Sequence, residues 1–397
     1  MASKWLKAFL GSIFILFPLF AYASTDVTQN IFKNTTWDVA GSPYYINKNI
    51  QVYPGSTLTI NPGVEVIIDL ESSLIIGGKL IAKGDVDNCI IFRSDVTIPA
   101  RVYPSALIFG ATADSAKYKG GFSPIFSYDY LNREISLTYE SGSIVEYCVF
   151  SALPSAMELR GSFPYIAHNQ IAGCNGGIAV NGQRTYLTPQ WLFLFKNTFE
   201  NNAGTVIDLE FYSDCYDLFT LLTGNIIENN NIKYGQVTVN LPSTDNFIFL
   251  FNNKILNNNG TALVTRNIHS FLYADSNVID SNNRGVAASS AVLLHNTITN
   301  NLCPSGWASN NAAGVYLAGH RDVLFHNTIQ RNEVCSSGAI GDNIMLNPGE
   351  YCLYTVNYNN LGNSKGDSID IALWNIDNQQ FICEKAQRMV VDATRNF

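Results

Sequence analysis

The residues best suited to chemistry are two acids that lie in an alternating apolar stretch. In residues 206–211, apolar side chains alternate with Asp208 and Glu210. An extended strand would therefore direct both carboxylates to one side, about 7 Å apart. Paired carboxylates can act as general acid and base on a glycosidic bond, and they can also bind calcium. A solvated strand face is the plainer interpretation of the same pattern.

Further polar side chains follow at strand spacing on the same side of the chain. In addition to the two acids, His320 and Arg266 are catalytic candidates, since both fall in strands that follow this one. Four more residues are candidates for binding a ligand beside them: Gln236, Thr238, Asn240 and Tyr316. Together these residues predict a polar groove.

Aromatic side chains are frequent in the segments that interrupt the alternation. Five of them are candidates for ligand binding: Tyr118, Tyr128, Tyr130, Trp191 and Tyr212. Large aromatic rings provide contact area with a polar edge. Their exposure on loops would favour binding of carbohydrate, because rings stack on sugars.

A short phrase that begins with asparagine must position all of these residues. It reads Asn, any residue, then a large apolar residue, and it begins at Asn169, Asn197, Asn225, Asn253, Asn277, Asn296 and Asn327. The first three intervals are 28 residues each (169 to 197, 197 to 225, 225 to 253). A fixed period in this range indicates a solenoid. We expect the apolar residue to point inward and the asparagine to form a ladder at a bend.

Three histidines immediately precede such asparagines. They are His168, His295 and His326, and the last two fall on neighbouring repeats. Two stacked imidazoles could bind zinc or copper. No third ligand is apparent, so we favour a surface stack beside a turn and predict no metal site here.

The opening repeats contain a set of short motifs: Trp37, Pro43-Tyr44, residues 54–64 (Pro-Gly-x-x-Leu-Thr-Ile followed by Pro-Gly-Val), Gly78-x-Leu80-x-Ala82 and Ile91-Phe92. In these motifs the chain resembles secreted parallel β-helix proteins of the pectin-lyase-like superfamily. The resemblance implies an all-β fold: a single right-handed parallel β-helix with N- and C-terminal caps. The predicted boundaries are a cap at 24–45, the β-helix at 46–383 with an inserted loop at 99–140, and a cap or tail at 384–397. Within that loop, residues 106–109 could form one coil strand.

The resemblance does not specify a reaction, since the superfamily contains lyases, hydrolases, epimerases, adhesins and proteins without known activity. Polygalacturonase-like hydrolases carry Asn-Thr-Asp, Asp-Asp, Gly-His-Gly and Arg-x-Lys motifs. Here Gly319-His320-Arg321 matches only two residues of one of them. The calcium-binding aspartates of pectate lyases and the Asp-Pro-His-Asp segment of mannuronan epimerases have no convincing counterpart.

The first 23 residues predict a signal peptide, and hence a secreted or periplasmic protein. Lys4 and Lys7 precede an apolar run that ends at Phe20, and Ala21-Tyr22-Ala23 is a small-x-small cleavage site. No later stretch is long and apolar enough to span a membrane. An exported chain with eight cysteines predicts disulfides. Spacing suggests sequential pairs: Cys89 with Cys148, Cys174 with Cys215, Cys303 with Cys335, and Cys352 with Cys383.

Charge gives a further limit on the partners. Removing residues 1–23 takes away two lysines and no acid, so the formal net charge moves from −8 to −10. A chain this acidic is not expected to bind nucleic acid or an anionic membrane. Two functions stay open. One is a non-catalytic, rigid surface for a polysaccharide or cell-surface glycan; the other is a lyase or hydrolase that uses the outward carboxylates. Neither needs a cofactor, although calcium is an alternative, and the oligomeric state is not predicted.

Overall fold

The computed structural model shows a single parallel β-helix, which confirms the predicted fold class. It describes residues 24–96, 104–120, 137–181, 190–209, 218–232, 237–241, 247–265, 271–304, 312–318, 321–334, 343–346, 353–357, 359–362, 371–373 and 390–392. The predicted signal peptide lies outside these ranges, so it stays a prediction. Among the described residues, no helix is long and apolar enough to cross a membrane.

Three long sheets, named A, B and C, run along the solenoid, and every strand pair within them is parallel. The strands of sheet A are β1 (Thr25–Asp26), β3 (Tyr44–Ile46), β6 (Glu65–Ile68), β9 (Ile90–Arg93), β14 (Cys148–Ser151), β17 (Gln170–Ala172), β20 (Thr198–Glu200), β23 (Ile226–Glu228), β26 (Lys254–Leu256), β29 (Val278–Asp280), β32 (Thr297–Thr299), β36 (Thr328–Gln330) and β40 (Asn360–Gly362).

The strands of sheet B are β4 (Ile50–Val52), β7 (Leu74–Ile76), β10 (Leu107–Phe109), β15 (Met157–Leu159), β18 (Ile178–Val180), β21 (Ile207–Asp208), β24 (Val237–Leu241), β27 (Thr261–Thr265), β30 (Arg284–Ala288), β34 (Val315–Leu317), β38 (Ile344–Leu346) and β41 (Ile371–Leu373).

The strands of sheet C are β2 (Thr35–Trp37), β5 (Thr57–Ile60), β8 (Lys79–Lys83), β13 (Ile144–Glu146), β16 (Tyr165–Ala167), β19 (Gln190–Phe195), β22 (Leu218–Thr223), β25 (Phe247–Phe251), β28 (Phe271–Asp275), β31 (Ala291–Leu294), β35 (Arg321–Phe325), β39 (Leu353–Asn357) and β42 (Val390–Asp392). Two smaller sheets are the antiparallel hairpin of β11 (Lys117–Lys119) and β12 (Thr138–Ser141), and the parallel pair of β33 (Leu302–Cys303) and β37 (Glu333–Val334). A 3-10 turn, Val39–Gly41, is capped by Asp38.

Each regular coil contributes one strand to sheet C, then to sheet A, then to sheet B. Successive coils stack at the spacing of paired strands, about 4.8 Å. The predicted cap at 24–45 supplies the edge strands β1 and β2. The predicted loop at 99–140 is divided by β10, which confirms a coil strand there. In the predicted tail, β42 pairs with sheet C.

The core is a set of aliphatic and aromatic columns inside the coils. The apolar residue of the asparagine phrase points inward as predicted, since Ile171, Phe199 and Ile227 stack in register and are fully buried. Near the N-terminal end, Phe92 and Phe150 continue this column, with ring centroids 4.9 Å apart. Burial of such side chains contributes roughly 2 kcal/mol each, so repetition along the axis stabilises the solenoid.

The predicted asparagine ladder lies at the bend between sheets C and A. Each side-chain amide donates to the amide oxygen of the asparagine one coil further on, at 2.9–3.1 Å, from Asn169 through to Asn359. Each amide nitrogen also donates to a backbone carbonyl, as Asn225 does to Leu194 at 2.8 Å. The residue before each ladder position from Asn169 to Asn327 adopts a left-handed conformation, such as His168 with φ 56°. This tight bend is what the repeated phrase encodes.

A second ladder, which the sequence analysis did not identify, lies at the bend between sheets A and B. Its members are Asn202, Asn230, Asn258, Asn282, Asn301, Asn332 and Asn343, joined by amide bonds of 2.8–3.1 Å. Most of these residues follow the first-ladder asparagine by five positions. The strands of sheet A are therefore held at both ends.

Both ladders begin with a cysteine. The backbone amide of Cys148 donates to Asn169 Oδ1, and that of Cys174 donates to Asn202 Oδ1, each at 2.9 Å. The Cys148 thiol points at the Ala82 carbonyl oxygen, 3.7 Å away, where a ladder asparagine would place its amide nitrogen. Burial raises the pKa of the Cys148 thiol well above its usual value and that of Cys174 to about 12.

This arrangement corrects two disulfide predictions. Cys89 and Cys148 carry free thiols, so the bridge predicted between them is not formed. Cys174 is also a free thiol, so the bridge predicted from it to Cys215 is not formed either. The physical reason is that the ladder position directs the Cys148 sulfur toward backbone carbonyls. Cys303 is buried at the end of β33. Cys215, Cys335, Cys352 and Cys383 lie outside the described residues.

Candidate functional site

The outward face of sheet B carries a row of polar residues in one register column. Glu158, Ala179, Asp208 and Asn240 are partners on consecutive coils, and the column continues to Tyr316. Their strand neighbours, among them Met157, Leu159, Ile207 and Val239, belong to the core. Alternation along each strand therefore points the column outward. We call Glu158, Asp208 and Asn240, with Arg160 and Asn181 beside them, the polar row.

Asp208 and Asn240 are joined directly. The Asn240 amide nitrogen donates to Asp208 Oδ1 at 2.9 Å. Asn240 is only 5% exposed, whereas Asp208 is half-buried. The Asn240 amide oxygen is buried and has no hydrogen-bond partner in the part of the chain that the structure describes. A buried acceptor without a donor lowers the free energy of unfolding by roughly 1–3 kcal/mol, so such an atom is unusual in a folded protein.

Glu158 forms the other end of the row and was not a sequence candidate. Arg160 binds its two carboxylate oxygens through Nε at 2.7 Å and Nη2 at 2.8 Å. The Asn181 amide nitrogen adds a bond to Glu158 Oε1 at 3.1 Å. The hydrogen bonds of Arg160 with Glu158 raise the pKa of the Arg160 guanidinium. Glu158 is 8% exposed and two coils from Asp208, which separates their backbones by about 10 Å.

The signal for Glu158 was present in the sequence. Met157-Glu158-Leu159 has the same apolar–acid–apolar order as Ile207-Asp208-Leu209. The two segments lie two coils apart, and only a correct count of the coils places the acids in one column.

The structure places Thr238 away from the groove for which it was predicted. Its side chain is fully buried, and its carbonyl accepts a hydrogen bond from Val206, a core residue. The prediction was wrong because the chain turns a corner just before sheet B, so two consecutive residues point inward. Val206 and Ile207 show the same arrangement one coil earlier.

Tyr316 lies further along the column, beside a buried arginine. The guanidinium carbon of Arg284 is 5.4 Å from the centroid of the Tyr316 ring. Arg284 Nε donates to the Ala312 carbonyl at 3.1 Å. Burial lowers the pKa of Arg284, which is the largest effect on it. Tyr316 is therefore on the predicted face but three coils beyond Asn240.

The aromatic candidates Tyr118 and Trp191 lie on a different surface, the outward face of sheet C. Trp191, Phe219 and Phe247 stack in one column, with centroids 4.7 and 5.2 Å apart and planes within 23° of each other. Beside them a second column contains Phe193, Leu221, Phe249 and Tyr273, all 5% exposed or less. We call these columns the aromatic face. Because neighbouring rings stack, the flat sides between them are covered, and Trp191, Phe219 and Phe247 are only partly exposed.

Tyr118 is half-buried against this face and its hydroxyl is buried, so it is not exposed as the sequence suggested. It belongs to the β11–β12 hairpin, and its ring centroid is 4.1 Å from that of Phe193. Burial raises its pKa well above the usual value, with smaller effects of Tyr165 and Tyr139. Tyr165, beneath the hairpin, has its pKa raised to about 12, chiefly by burial. The hairpin is thus fixed to the aromatic face by packing.

The histidines stack at the bend between sheets C and A, which confirms the interpretation as a stack beside a turn. The rings of His295 and His326 are 5.5 Å apart and nearly parallel, at 6°. His295 Nδ1 lies 3.1 Å from Asp275 Oδ1. His168 stacks on Tyr147 instead, and burial lowers its pKa. In the described ranges, no three His, Cys, Asp or Glu side chains are grouped as metal ligands.

Seven predicted site residues lie outside the described residues: Glu210, Arg266, His320, Tyr128, Tyr130, Tyr212 and Gln236. Of the remaining candidates, the structure brings Asp208 and Asn240 together.

Comparison with known proteins gives little guidance on function. No family model matches the chain. A curated protein that is similar in part is Protein bark beetle of Drosophila melanogaster, 30% identical over 87 residues. The match covers 21% of this chain and 3% of that protein, so the chain spans only a small part of its relative's length.

Proposed function

We propose that this chain is an exported, non-catalytic protein that binds a polysaccharide or cell-surface glycan on the outward face of sheet B. The observation that carries the proposal is the polar row. It sets carboxylate, amide and guanidinium groups at one coil spacing along a rigid axis. Groups of these types exchange hydrogen bonds with sugar hydroxyls.

The rigidity of the row supports this proposal. Its backbone belongs to a parallel sheet whose strands are fixed by the second ladder at one end. Side chains that already hold one another need little ordering when a ligand binds. A linear polymer lying along the solenoid axis would meet a new coil about every 4.8 Å, a step comparable to one sugar unit.

The aromatic face supports the polar row as the binding surface by elimination. Sugar stacking needs the flat side of a ring, and in the Trp191–Phe219–Phe247 column the flat sides face each other. Sheet C therefore offers ring edges, whereas sheet B offers hydrogen-bonding groups.

The test is a glycan array with the purified protein, followed by calorimetry on the best ligand. We expect Asp208→Asn to reduce affinity at least tenfold, because its carboxylate is the half-buried acid of the row. The matched control is Glu200→Gln, an acid on sheet A that also accepts an amide bond, from Gln170 at 2.6 Å. Equal effects of the two substitutions, or no glycan bound, would contradict the proposal.

A second candidate is an inverting glycoside hydrolase, favoured by Glu158 and Asp208 in one outward column. Their backbone separation of about 10 Å permits carboxyl groups at the roughly 6.5–9.5 Å typical of inverting enzymes. Release of reducing ends from a bound polysaccharide, abolished by Glu158→Gln and by Asp208→Asn, would establish this function. Binding without any release would leave the non-catalytic proposal.

A further inference from the structure

The polar row contains one buried acceptor that lacks a hydrogen-bond donor among the described residues, the amide oxygen of Asn240. The residue is 95% buried, given its exposed fraction of 5%, and its oxygen has no partner in the described part of the chain. Its nitrogen is already used in the bond to Asp208. Buried acceptors in folded proteins are almost always satisfied, so a missing donor indicates a group that is supplied from elsewhere.

The missing group must be a hydrogen-bond donor, and it must lie close to a carboxylate. The Asn240 nitrogen is 2.9 Å from Asp208 Oδ1, and the amide oxygen is on the same planar group. A donor that reaches this oxygen therefore lies within about 6 Å of the Asp208 carboxylate, a distance at which opposite charges attract in a partly buried site.

The other donors of the row are already engaged with a carboxylate. Arg160 binds both oxygens of Glu158, and Asn181 binds one of them. A ligand that carries carboxylates, such as a uronate polymer, would thus face acids and an acceptor on a chain of net charge −8. A ligand with a positively charged donor would gain from both features.

We propose that the polar row selects a glycan containing a cationic amino sugar, whose ammonium group donates to the amide oxygen of Asn240 beside the Asp208 carboxylate. This inference rests on the proposed function and specifies its ligand class. An ammonium group has three donors and no acceptor, and its charge is compact, so it complements an acceptor beside a carboxylate.

The experiment compares four 1,4-linked hexamers by calorimetry on the full chain. Glucosamine, N-acetylglucosamine and glucose are β-linked, and the anionic hexamer is α-linked galacturonate. We expect the glucosamine hexamer to bind at least tenfold more tightly than the N-acetylated and glucose hexamers, and the galacturonate hexamer not to bind. The preference should shrink as salt is raised from 50 to 500 mM, because part of it is electrostatic.

Two variants locate the preference at Asn240. Asn240→Leu removes the acceptor in a side chain of similar shape, and it should reduce the glucosamine preference to less than threefold. Asn259→Leu is the matched control, since Asn259 also donates an amide bond, to Asn231, but is exposed outside the row. It should leave the preference unchanged. Circular dichroism of both variants establishes that they are folded.

The possible failures are distinguishable. If the glucose hexamer binds as tightly as the glucosamine hexamer, the amino-sugar inference is overturned while glycan binding stands. If no hexamer and no arrayed glycan binds, the proposed function itself fails. If Asn240→Leu is folded and keeps the full preference, an ordered water satisfies the Asn240 oxygen, and the inference is also overturned.

Discussion

The outward faces of sheets B and C are made by the same coils but carry different chemistry. Inward, both sheets present aliphatic columns to one core. Outward, sheet B presents the polar row, in which each side chain holds another through a hydrogen bond. Sheet C presents the aromatic face, in which each ring packs on its neighbours. The comparison shows that side chains that point away from the core of a solenoid do not necessarily form a binding surface.

The two faces differ in what remains available to a ligand. In the aromatic face the most favourable surfaces, the ring faces, are already in contact within the protein, so the face contributes stability. In the polar row at least one acceptor, Asn240 Oδ1, has no hydrogen-bond partner among the described residues. Five substitutions test this division, from the largest expected effect to the smallest.

Asn225→Leu should have the largest effect, because it removes a buried ladder residue from a coil, β22–β23–β24, that contributes to both faces. The Asn225 amide nitrogen donates hydrogen bonds to the Leu194 carbonyl and to Asn253 Oδ1. Its amide oxygen accepts hydrogen bonds from the backbone and side-chain nitrogens of Asn197. Leaving these buried partners unsatisfied should lower the free energy of unfolding by about 5 kcal/mol. Thermal and denaturant unfolding measure this. A loss no larger than that of the exposed Asn259→Leu would refute the ladder as a main stabiliser.

Phe249→Ala tests the aromatic face alone. Phe249 points outward from sheet C but is 2% exposed. We expect a loss of about 3 kcal/mol in the free energy of unfolding, comparable to a core substitution, with glycan affinity unchanged within twofold. Val264→Ala, at an outward position of sheet B next to Asn240, should cost less than about 1 kcal/mol. A large loss of glycan affinity in Phe249→Ala would instead assign binding to sheet C.

Asp208→Asn is the opposite test, on sheet B. It should reduce glycan affinity at least tenfold, equivalent to about 1.4 kcal/mol or more of binding free energy. The free energy of unfolding should change by less than about 0.5 kcal/mol, because the residue is half-buried on a surface. Calorimetry and chemical unfolding on the same sample measure both quantities. A stability loss as large as that of Phe249→Ala would make the two faces equivalent.

Tyr118→Phe should stabilise the protein by about 1 kcal/mol. The Tyr118 hydroxyl is buried without a hydrogen-bond partner in the described residues, and removing it ends that desolvation cost. Tyr139→Phe on the same hairpin is the contrasting variant. Its hydroxyl donates to the Gly142 carbonyl at 2.7 Å, so its loss should destabilise by about 1 kcal/mol. The same sign of change in the two thermal midpoints would show that the hairpin does not bury Tyr118 as described.

Cys148→Asn should give the smallest effect, a stabilisation of about 0.5 kcal/mol. The substituted amide can donate to the Ala82 carbonyl, which the weakly polar thiol now contacts at 3.7 Å. Cys148→Ala lacks both groups and should be destabilised. If Cys148→Asn is less stable than Cys148→Ala, the position does not extend the ladder.

Much of the fold could be predicted from the sequence because a solenoid repeats its local rules. A bend that needs a left-handed residue followed by asparagine recurs in every later coil, and the apolar residue two positions on must face the core. Asn197 and Phe199 show this in one phrase. The second ladder was missed because its asparagines follow residues of varied type, such as Asn201, Ser281 and Arg331, which share only their conformation.

The candidate site was predicted less well, since it depends on register between coils. Alternation alone predicted that Asp208 points outward. The hydrogen bond from Asn240 confirms that the two side chains are neighbours on adjacent coils. Alternation failed at Thr238, where the chain bends before the strand. The sequence analysis also overlooked Glu158. The coil between Glu158 and Asp208 has an alanine, Ala179, at the equivalent position, so the column of acids is interrupted.

The sequence by itself determined the coil: the period, the inward column and the bend that asparagine permits, all of which are set within a few residues of one another. Only the tertiary structure decided which outward side chains meet. Stacking at strand spacing gave the Cys148 thiol a ladder position, left the Asn240 oxygen without a partner in the described ranges and covered the aromatic rings with one another. These are contacts between coils, and no local pattern fixes them, because loops of unequal length set the register.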